Sequence, residues 1–516
     1  MSRPSISFCW TFLFALLPAL TSLLHSQQVD YFSAQSFERQ ETTSPGSQTE
    51  TQADAWLDEL VQQKVEAELA RREQNGELPG TSTSSDKTLH ARWDNGFVAE
   101  TNDKAFRIHI GGRLEFDSSW FSQDDNLLLG RSDTQRLLDG TLFRRARFRL
   151  DGRIWNYIDF LTEVNFAAIQ DAASISADPV QVGSVGLTDF HLTFRDQPLV
   201  GNIRIGHLLA PLSLERYSGS TPAQYMERSY IFDAFVGPNE YQNGILFFDS
   251  FRNDRITYGT SLTWISKAGI NSFGFGAFET GNYAFNARLT ALPVYRHEGR
   301  QLIHLGVGCE NQALRGNRLA LAARPLLRAG AGSDDTPKIL STGTYYSPNS
   351  ANILVLEGIL INHRFSVSSE YALVTVDDVF ENYDGVNFSG PRDDVSYHSA
   401  YLETGFFLTR GDYRRYNPGM GIWDRFKPCQ NAWSWCEGGG WCRGGGATEL
   451  AIRFSYLGLI SGTPALTSSG DGAQAGNAFD ITVGINWYLN SETRLVANYV
   501  HTHIDSIVAG ASGDFD

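Results

Sequence analysis

Lysine, methionine and long apolar runs are scarce in this chain of 516 residues. Only six of its 42 basic residues are lysine and only three residues are methionine, so long helices rich in Ala, Leu and Lys are not expected to dominate. The net charge of −16 disfavours a nucleic-acid-binding protein. Beyond the N-terminus, no stretch approaches the roughly 18 consecutive apolar residues of a spanning helix. These absences exclude a multispan helical membrane protein.

Motifs of enzyme chemistry are also missing from the sequence. It has no GxSxG elbow, P-loop, HExxH motif or GxGxxG before a helix, and His297-Glu298 lacks the second histidine of a zinc site. We interpret the lone His109 and His191 as hydrogen-bonded wall residues. We therefore expect no enzyme activity, no cofactor and no metal site.

Four N-terminal segments precede the body of the chain. Residues 1–26 have the basic start, apolar middle and polar exit of a secretory signal peptide, with a membrane anchor as the alternative. Residues 27–52 and 75–94 are interpreted as solvated linkers. Residues 53–74 predict a helix with one apolar stripe, which needs a partner because an isolated helix of this length is marginal. The alternatives are a self-associating coiled coil, docking on its own domain, and contact with peptidoglycan or another envelope component.

Residues 95–516 form the body of the chain, and from residue 105 onward they contain segments in which apolar and polar residues alternate. Between 142 and 153, for example, Ala146, Phe148 and Leu150 share one face, and arginines occupy the other. Such segments recur about sixteen times at roughly the length of a tilted membrane-spanning strand. No helical segments are available to cover so much apolar surface. We therefore predict an all-β fold, a transmembrane antiparallel β-barrel of about 16 strands, rather than a soluble β-sandwich or propeller.

Several stretches resemble, in the expected order, the landmarks of one family of outer-membrane porins, the phosphate-selective porin O and P family. They include FRIHIGGRLEFD at 106–117, FRRARFRLDGRIWNYIDFLTEVNFA at 143–167, NIRIGHLLAPLSLERYSGSTPAQYMERS at 202–229 and DITVGINWYLNSETRLVANYVH at 480–501. The resemblance covers residues 95–505. It implies a homotrimer of barrels in the outer-membrane lipid that conducts ions and small solutes. It also implies a loop that folds inward and narrows the pore.

The best candidate for that loop is the long connection 210–240, which is far longer than the neighbouring turns. Its charged and aromatic residues would form a mixed-charge constriction. The alternative is an extracellular or trimer-contact loop. The candidate residues are Glu215, Arg216, Tyr225, Glu227 and Arg228.

Arginines at alternate positions of one strand carry the selectivity hypothesis. If Phe148 faces lipid, this row faces the lumen, where guanidinium groups attract anions and bind oxyanions bidentately. The alternative is that carboxylates such as Asp151 and Glu163 neutralise the row, which leaves a general diffusion pore. The pore-lining candidates are Arg107, Arg113, Arg145, Arg147, Arg149, Arg153, Arg195 and Arg204.

The sequence leaves the solute open. We expect passive transport of small anions, with phosphate among them, although six lysines are few for a family whose phosphate site is associated with lysine. A tether that holds the envelope through residues 53–74 is a further alternative. The chain ends on Asp516 without a terminal aromatic strand, so we expect either a missing closing strand or a strand count that is wrong by one.

Cysteine is concentrated in one insert rich in glycine and tryptophan, residues 428–446. Because an exported protein meets an oxidising compartment, its three cysteines predict one loop disulfide with one thiol left over. The insert has no histidine and lacks the short cysteine spacing of zinc sites. We interpret it as an extracellular loop rather than a ligand site. The cysteines are Cys429, Cys436 and Cys442.

Overall fold

A computed structural model describes most of the chain from residue 87 onward. The described residues are 87–127, 137–167, 185–237, 240–264, 283–314, 318–329, 336–343, 345–435, 439–461, 475–506 and 512–516. The predicted signal peptide 1–26, linker 27–52 and helix 53–74 lie outside them. Within the described residues, no helix is long and apolar enough to cross a membrane.

Strands make up 64% of the described residues. In chain order the first are β1 (Leu89–Trp93), β2 (Phe97–Thr101), β3 (Phe106–Ser119), β4 (Gly140–Ile154), β5 (Ile158–Asn165), β6 (Gly186–Gln197), β7 (Gly201–Leu209), β8 (Tyr241–Phe251), β9 (Ile256–Trp264), β10 (Tyr283–Arg296), β11 (Gln301–Ala313), β12 (Arg318–Leu319) and β13 (Ala322–Ala323). They continue with β14 (Leu340–Ser341), β15 (Tyr345–Tyr346), β16 (Ser350–Asn362), β17 (Phe365–Tyr383), β18 (Phe388–Phe407), β19 (Tyr416–Asn417), β20 (Ile422–Trp423), β21 (Trp433–Trp435), β22 (Trp441–Arg443), β23 (Ala447–Gly458), β24 (Gly476–Tyr488), β25 (Arg494–Ser506) and β26 (Gly513–Phe515).

Helical turns are few and short. They are the α-helix α1 (Leu214–Ser218), the π-helical turn Ile231–Val236, and the 3₁₀ turns Asp125–Leu127 and His297–Gly299. Ser213 caps α1 by accepting a hydrogen bond from the Arg216 backbone N–H at 3.1 Å.

The chain divides into two compact units, the smaller of which includes residues 87–92 and 99–107. Within it, the Arg92 guanidinium donates to the Glu100 carboxylate at 2.6 Å. The Asn102 backbone N–H donates to the Thr88 carbonyl at 3.2 Å.

The larger unit, residues 93–98 and 108–516, is built as an antiparallel meander. From β4 to β11 each strand pairs with the next in the chain. The pairing continues from β11 to β16, through β17 and β18 to β23, and on to β26. Residues 318–326, inside a long connection, form only the short strands β12 and β13.

Apolar and polar residues alternate in these strands, but the apolar residues are exposed and the polar ones are buried, which is the reverse of a soluble sheet. In β24, Phe479, Ile481 and Val483 are exposed, whereas Asp480 and Thr482 between them are buried. Neighbouring β23 repeats the pattern. A sheet that buries its polar side chains and exposes its apolar ones is suited to lipid on the outside and water within.

The two ends of the meander differ in the length of their connections. At one end the turns are short, for example residues 155–157 between β4 and β5 and residues 363–364 between β16 and β17. At the other end lie long connections, including 210–240 and 314–349. The connection 408–446 is the exception, because it is long but starts after β18 at the end where the turns are short.

The last strand, β26, pairs with β25 on one side and makes a single bridge on the other. It pairs with Thr502–Ile504 of β25, and Phe515 forms an antiparallel bridge with Gln123. Together with the fifteen longer strands from β3 to β25, β26 makes sixteen in the part of the larger unit that the structure describes.

Candidate functional site

The connection 210–240 lies against the inner face of the sheet, and we call its described residues 210–237 the inner segment. At its start, the backbone N–H groups of Leu214 and Glu215 donate to the two oxygens of Glu370 on β17, at 2.7 and 3.1 Å. The Arg216 guanidinium donates to the Glu310 carboxylate on β11 at 3.0 Å, and both side chains are buried. These contacts attach the start of the inner segment to β11 and β17.

The other half of the inner segment contacts both early and late strands of the meander. Glu227 forms a two-pronged ion pair with Arg144 on β4, and its carbonyl accepts from Arg453 on β23 at 3.0 Å. The Met226 backbone N–H donates to Asn498 on β25 at 2.9 Å. Since the inner segment reaches strands far apart in the sheet, it crosses the interior.

Glu227 stays ionised although it is buried. Burial by itself raises the pKa of this carboxyl, but the opposing charge and hydrogen bonds of Arg144, together with Arg328, hold it well below the usual range. The inner segment is therefore fixed by a charge that is matched on β4.

The predicted constriction residues mostly hold the inner segment in place. Glu215 accepts from the Ser229 backbone N–H at 2.8 Å, and Arg228 donates to Glu240 at 3.1 Å. The Arg453 guanidinium lies 4.4 Å from the centre of the Tyr225 ring. Four of the five predicted residues are buried, and Glu215 is half-buried. Other side chains therefore contact passing solutes.

Each arginine of the predicted row on β4 has a carboxylate partner. Arg145 pairs with Glu115 on β3, and Arg147 donates to Glu163 on β5 at 2.9 Å. Arg149 donates to Asp151, one position along the same face, at 2.7 Å. The row thus faces inward as a chain of ion pairs rather than as bare cations.

The most exposed part of this row lies near the short turns. Arg153 on β4 donates to Asp159 on β5 at 2.6 Å, and Arg195 on β6 lies 3.6 Å from the other oxygen of the same carboxylate. The side chains of Arg149, Arg153 and Arg195 are 42%, 36% and 34% exposed. Two arginines on one carboxylate leave a local excess of one positive charge.

The other predicted arginines occupy three different places. Arg113 on β3 donates to the hydroxyls of Thr221 and Ser220 in the inner segment, at 2.8 and 2.7 Å. Arg204 on β7 donates to Thr193 at 3.1 Å. Arg107 belongs to the smaller unit.

Sequence reasoning missed Arg144, the partner of Glu227. Strict alternation puts Arg144 on the lipid face, because its neighbour Arg145 points inward. However, Phe143 and Phe148 are both exposed although they lie five positions apart, so the alternation of β4 shifts by one residue between them. Arg144 and Arg145 lie in this stretch, where two consecutive arginines can both point inward.

We call the inward-facing arginines of β3, β4, β6 and β7 the arginine wall. It consists of Arg113, Arg144, Arg145, Arg147, Arg149, Arg153, Arg195 and Arg204. Opposite it stands the carboxylate wall, whose members are buried on β11, β16, β17, β18, β23 and β24. It consists of Glu310, Glu357, Glu370, Glu403, Glu449 and Asp480.

The carboxylate wall is fully engaged by protein groups. Glu357 is held by Arg288 at 2.6 Å and His304 at 3.1 Å. Glu449 accepts from Gln224 of the inner segment at 2.8 Å and from Tyr488 at 2.9 Å. Glu403 and Asp480 accept from serine and threonine hydroxyls.

A cavity of about 840 Å³ lies between β3, β25 and residues 220–226. Its charged lining is mixed, with one more cation than anion. The charged lining residues are Arg113, Glu115, Asp117, Arg145, Arg425, Glu492 and Arg494.

The cysteine-rich insert 428–446 differs from its interpretation as an extracellular loop. It lies in the connection between β18 and β23, at the end where the turns are short. Cys442 is disulfide-bonded, and Cys429 is a free, exposed thiol. Cys436 lies outside the described residues.

Comparison with known proteins agrees with this inside-out β architecture. The sequence model of the family described as "Phosphate-selective porin O and P" matches residues 108–514. The chain belongs to this porin family. It is therefore a β-barrel porin of the outer membrane, which forms a channel. Short turns of such barrels face the periplasm, and this places connection 408–446 on the periplasmic side.

A curated relative and several solved structures resemble this porin. Porin O of Pseudomonas aeruginosa is 24% identical over 458 residues, covering 85% of this chain and 92% of the relative. OmpT of Vibrio cholerae in its trimer form gives a TM-score of 0.42 at 10% identity, covering 80% of this chain and 97% of OmpT. An anion-selective porin from Comamonas acidovorans gives 0.43 at 11% identity, with coverages of 80% and 97%.

Proposed function

We propose that this porin conducts anions in preference to cations, with phosphate and other oxyanions as the solute class. The observation that carries the proposal is the difference in exposure between the two walls. Arg149, Arg153 and Arg195 remain in contact with water, whereas the carboxylate wall is buried under protein groups. A passing ion therefore meets guanidinium groups at close range.

Guanidinium chemistry suits this role. Arginine presents five N–H donors in a plane, so Arg153, which gives two of them to Asp159, keeps others for a passing oxyanion. In the pair Arg153 and Arg195, two cations share one carboxylate. Anions that cross the periplasmic end of the pore thus encounter a net positive site.

A general diffusion pore is the second candidate. It is favoured by the ion pairs along β4, because each of Arg145, Arg147 and Arg149 has a carboxylate within hydrogen-bonding distance. If these pairs cancel the field along the pore, selectivity is weak. The two candidates differ in the sign and size of the reversal potential.

We also propose that the porin is a homotrimer in which residues 210–240 set the pore diameter. Membership of the porin family supports the trimer, and the contacts of the inner segment support its place in the pore. The role of residues 53–74 in contacting peptidoglycan or another envelope component stays a prediction.

The test of selectivity is the reversal potential across a planar bilayer under a KCl gradient. We expect anion preference in the native porin and a fall of at least about threefold in the anion-to-cation permeability ratio for Arg149→Ala/Arg153→Ala/Arg195→Ala. Lys427→Ala, an exposed residue outside the pore wall, is the control. If the native porin and the triple variant show the same weak selectivity, the general diffusion pore is supported instead.

Oxyanion binding needs its own measurement. Addition of inorganic phosphate should reduce the chloride current of the native porin more than that of the triple variant. If phosphate reduces both currents equally, anion preference is present without an oxyanion site.

A further inference from the structure

The tryptophan-rich hairpin β21–β22 is not explained by the channel. Its strands, Trp433–Trp435 and Trp441–Arg443, pair with each other outside the main sheet. The side chains of Trp433 and Trp441 are 45% and 76% exposed. Exposure of such large aromatic groups in a short hairpin indicates a surface that contacts something other than water.

The hairpin is fixed against the outer side of the barrel. Trp487, on the lipid-facing side of β24, donates its indole N–H to the Gly445 carbonyl at 3.0 Å. The rings of Trp433 and Trp487 lie 6.2 Å apart, and the Ala432 N–H donates to the Leu489 carbonyl at 2.6 Å. The hairpin therefore continues the apolar outer surface of β24 beyond the end of that strand.

Other exposed aromatic residues mark the same level of the barrel. Trp155 lies in the short turn between β4 and β5 and is largely exposed. Phe365 and Phe406, at the short-turn ends of β17 and β18, face outward together. Aromatic girdles of this kind lie at the boundary between hydrocarbon and headgroups. The hairpin projects from that boundary on the periplasmic side.

Charge around the hairpin points to one kind of partner. In the described part of connection 408–446, three exposed basic residues, Arg410, Lys427 and Arg443, outnumber one exposed acid, Asp424. This local excess of positive charge runs against the net charge of −16 of the whole chain. Basic residues beside interfacial tryptophans match anionic lipid headgroups.

We propose that the hairpin β21–β22 is an interfacial anchor that binds anionic phospholipid at the periplasmic face of the outer membrane. Trp433 and Trp441 enter the headgroup boundary, and Arg410, Lys427 and Arg443 contact lipid phosphates. This proposal is independent of the ion selectivity of the pore, because none of these side chains belongs to either wall.

The first test uses the intact porin in vesicles of phosphatidylcholine brominated near the headgroup end of the acyl chains. The contribution of Trp441 is the fluorescence lost in Trp441→Phe. We expect bromine to quench that contribution at least about twofold, while aqueous iodide barely changes it. Trp423→Phe is the matched control, because Trp423 is buried inside the barrel and neither quencher reaches it. If iodide quenches Trp441 and brominated lipid does not, the proposal is wrong, and the hairpin instead contacts a periplasmic partner.

The second test addresses the charges and does not depend on the tryptophan variants. The porin is extracted from vesicles of phosphatidylcholine and phosphatidylglycerol, and the retained lipids are measured. Each basic residue near an anionic surface is worth about fivefold in binding, so Arg410→Gln/Lys427→Gln/Arg443→Gln should retain at least about fivefold less phosphatidylglycerol, even if only one of the three contacts lipid. Arg392→Gln, an exposed arginine on the hairpin β17–β18 at the opposite end, should retain the native amount. Equal retention by both variants would exclude the lipid contacts. Native single-channel conductance in each variant shows that the barrel has folded.

Discussion

The arginine wall and the carboxylate wall face the same interior but differ in what their charges contact. Arg149, Arg153 and Arg195 keep a third or more of their side-chain surface in water. Glu357, Glu370 and their neighbours on the opposite wall are buried, and they bind backbone N–H groups, hydroxyls and other side chains.

Charge on the inner face of this barrel therefore has two uses. A buried carboxylate is costly to leave unpaired, so it holds whatever donors are placed against it. Here those donors include the inner segment. An exposed guanidinium is screened by water and contributes little to stability, but it acts on passing ions. The exposure of each group, more than its charge, indicates its role.

The largest effect is expected where the two walls meet through the inner segment. Arg144→Ala leaves the buried Glu227 carboxylate without its cation, which should lower the free energy of unfolding by about 3–5 kcal/mol. Urea unfolding of the detergent-solubilised porin, followed by tryptophan fluorescence, measures this change. Adding Glu227→Gln should recover part of the loss, and a double variant as unstable as Arg144→Ala alone would contradict the pairing.

A smaller loss is expected from the carboxylate wall. Glu370→Ala removes the acceptor of two backbone N–H groups and of the Tyr401 hydroxyl, and should cost about 2–3 kcal/mol because buried donors lose their partner. Release of the start of the inner segment should also increase the open-channel current noise. Glu381→Ala on the same strand β17 is the control. If the Glu370→Ala channel keeps the native current noise and the native free energy of unfolding, this carboxylate does not hold the inner segment.

The smallest change in stability is expected from the arginine wall. Arg153→Ala removes a half-exposed ion pair with Asp159, so the free energy of unfolding should change by less than about 1 kcal/mol. Its effect should appear in the reversal potential and fade as the salt concentration rises. If Arg153→Ala lowers the free energy of unfolding as much as Arg144→Ala does, the proposed difference between the two walls is wrong.

Much of the barrel could be predicted from alternation alone. Phe148 and the apolar residues of β24 face outward because a strand turns successive side chains to opposite faces. The same rule placed Arg145, Arg147 and Arg149 inside. It failed at Arg144, where the alternation of β4 shifts by one residue, and it could not show that each of the three has a carboxylate partner.

The constriction residues illustrate what local sequence does not contain. The length of the connection 210–240 indicated a functional loop, but its anchors are contributed by distant strands. Glu310, Glu370 and Asn498 lie from about a hundred to nearly three hundred residues away along the chain. No local pattern predicts such partners, since they depend on which strands face each other across the barrel.

The position of the cysteine-rich insert likewise could not be predicted from its local sequence. Its composition suggested an extracellular loop, because long loops usually occupy that side. The parity of the strands decided otherwise, since β18 ends where the turns are short.

The amino-acid sequence alone determined the class of this protein. Strand length, the apolar outer face and the inward arginines all follow from short-range patterns, because lipid and water impose a period of two on every strand. Which of the inner charges contact water depends instead on the tertiary structure. The inner segment binds Glu310, Glu370 and Glu449 of the carboxylate wall and leaves part of the arginine wall exposed. That outcome depends on contacts between segments far apart in the chain.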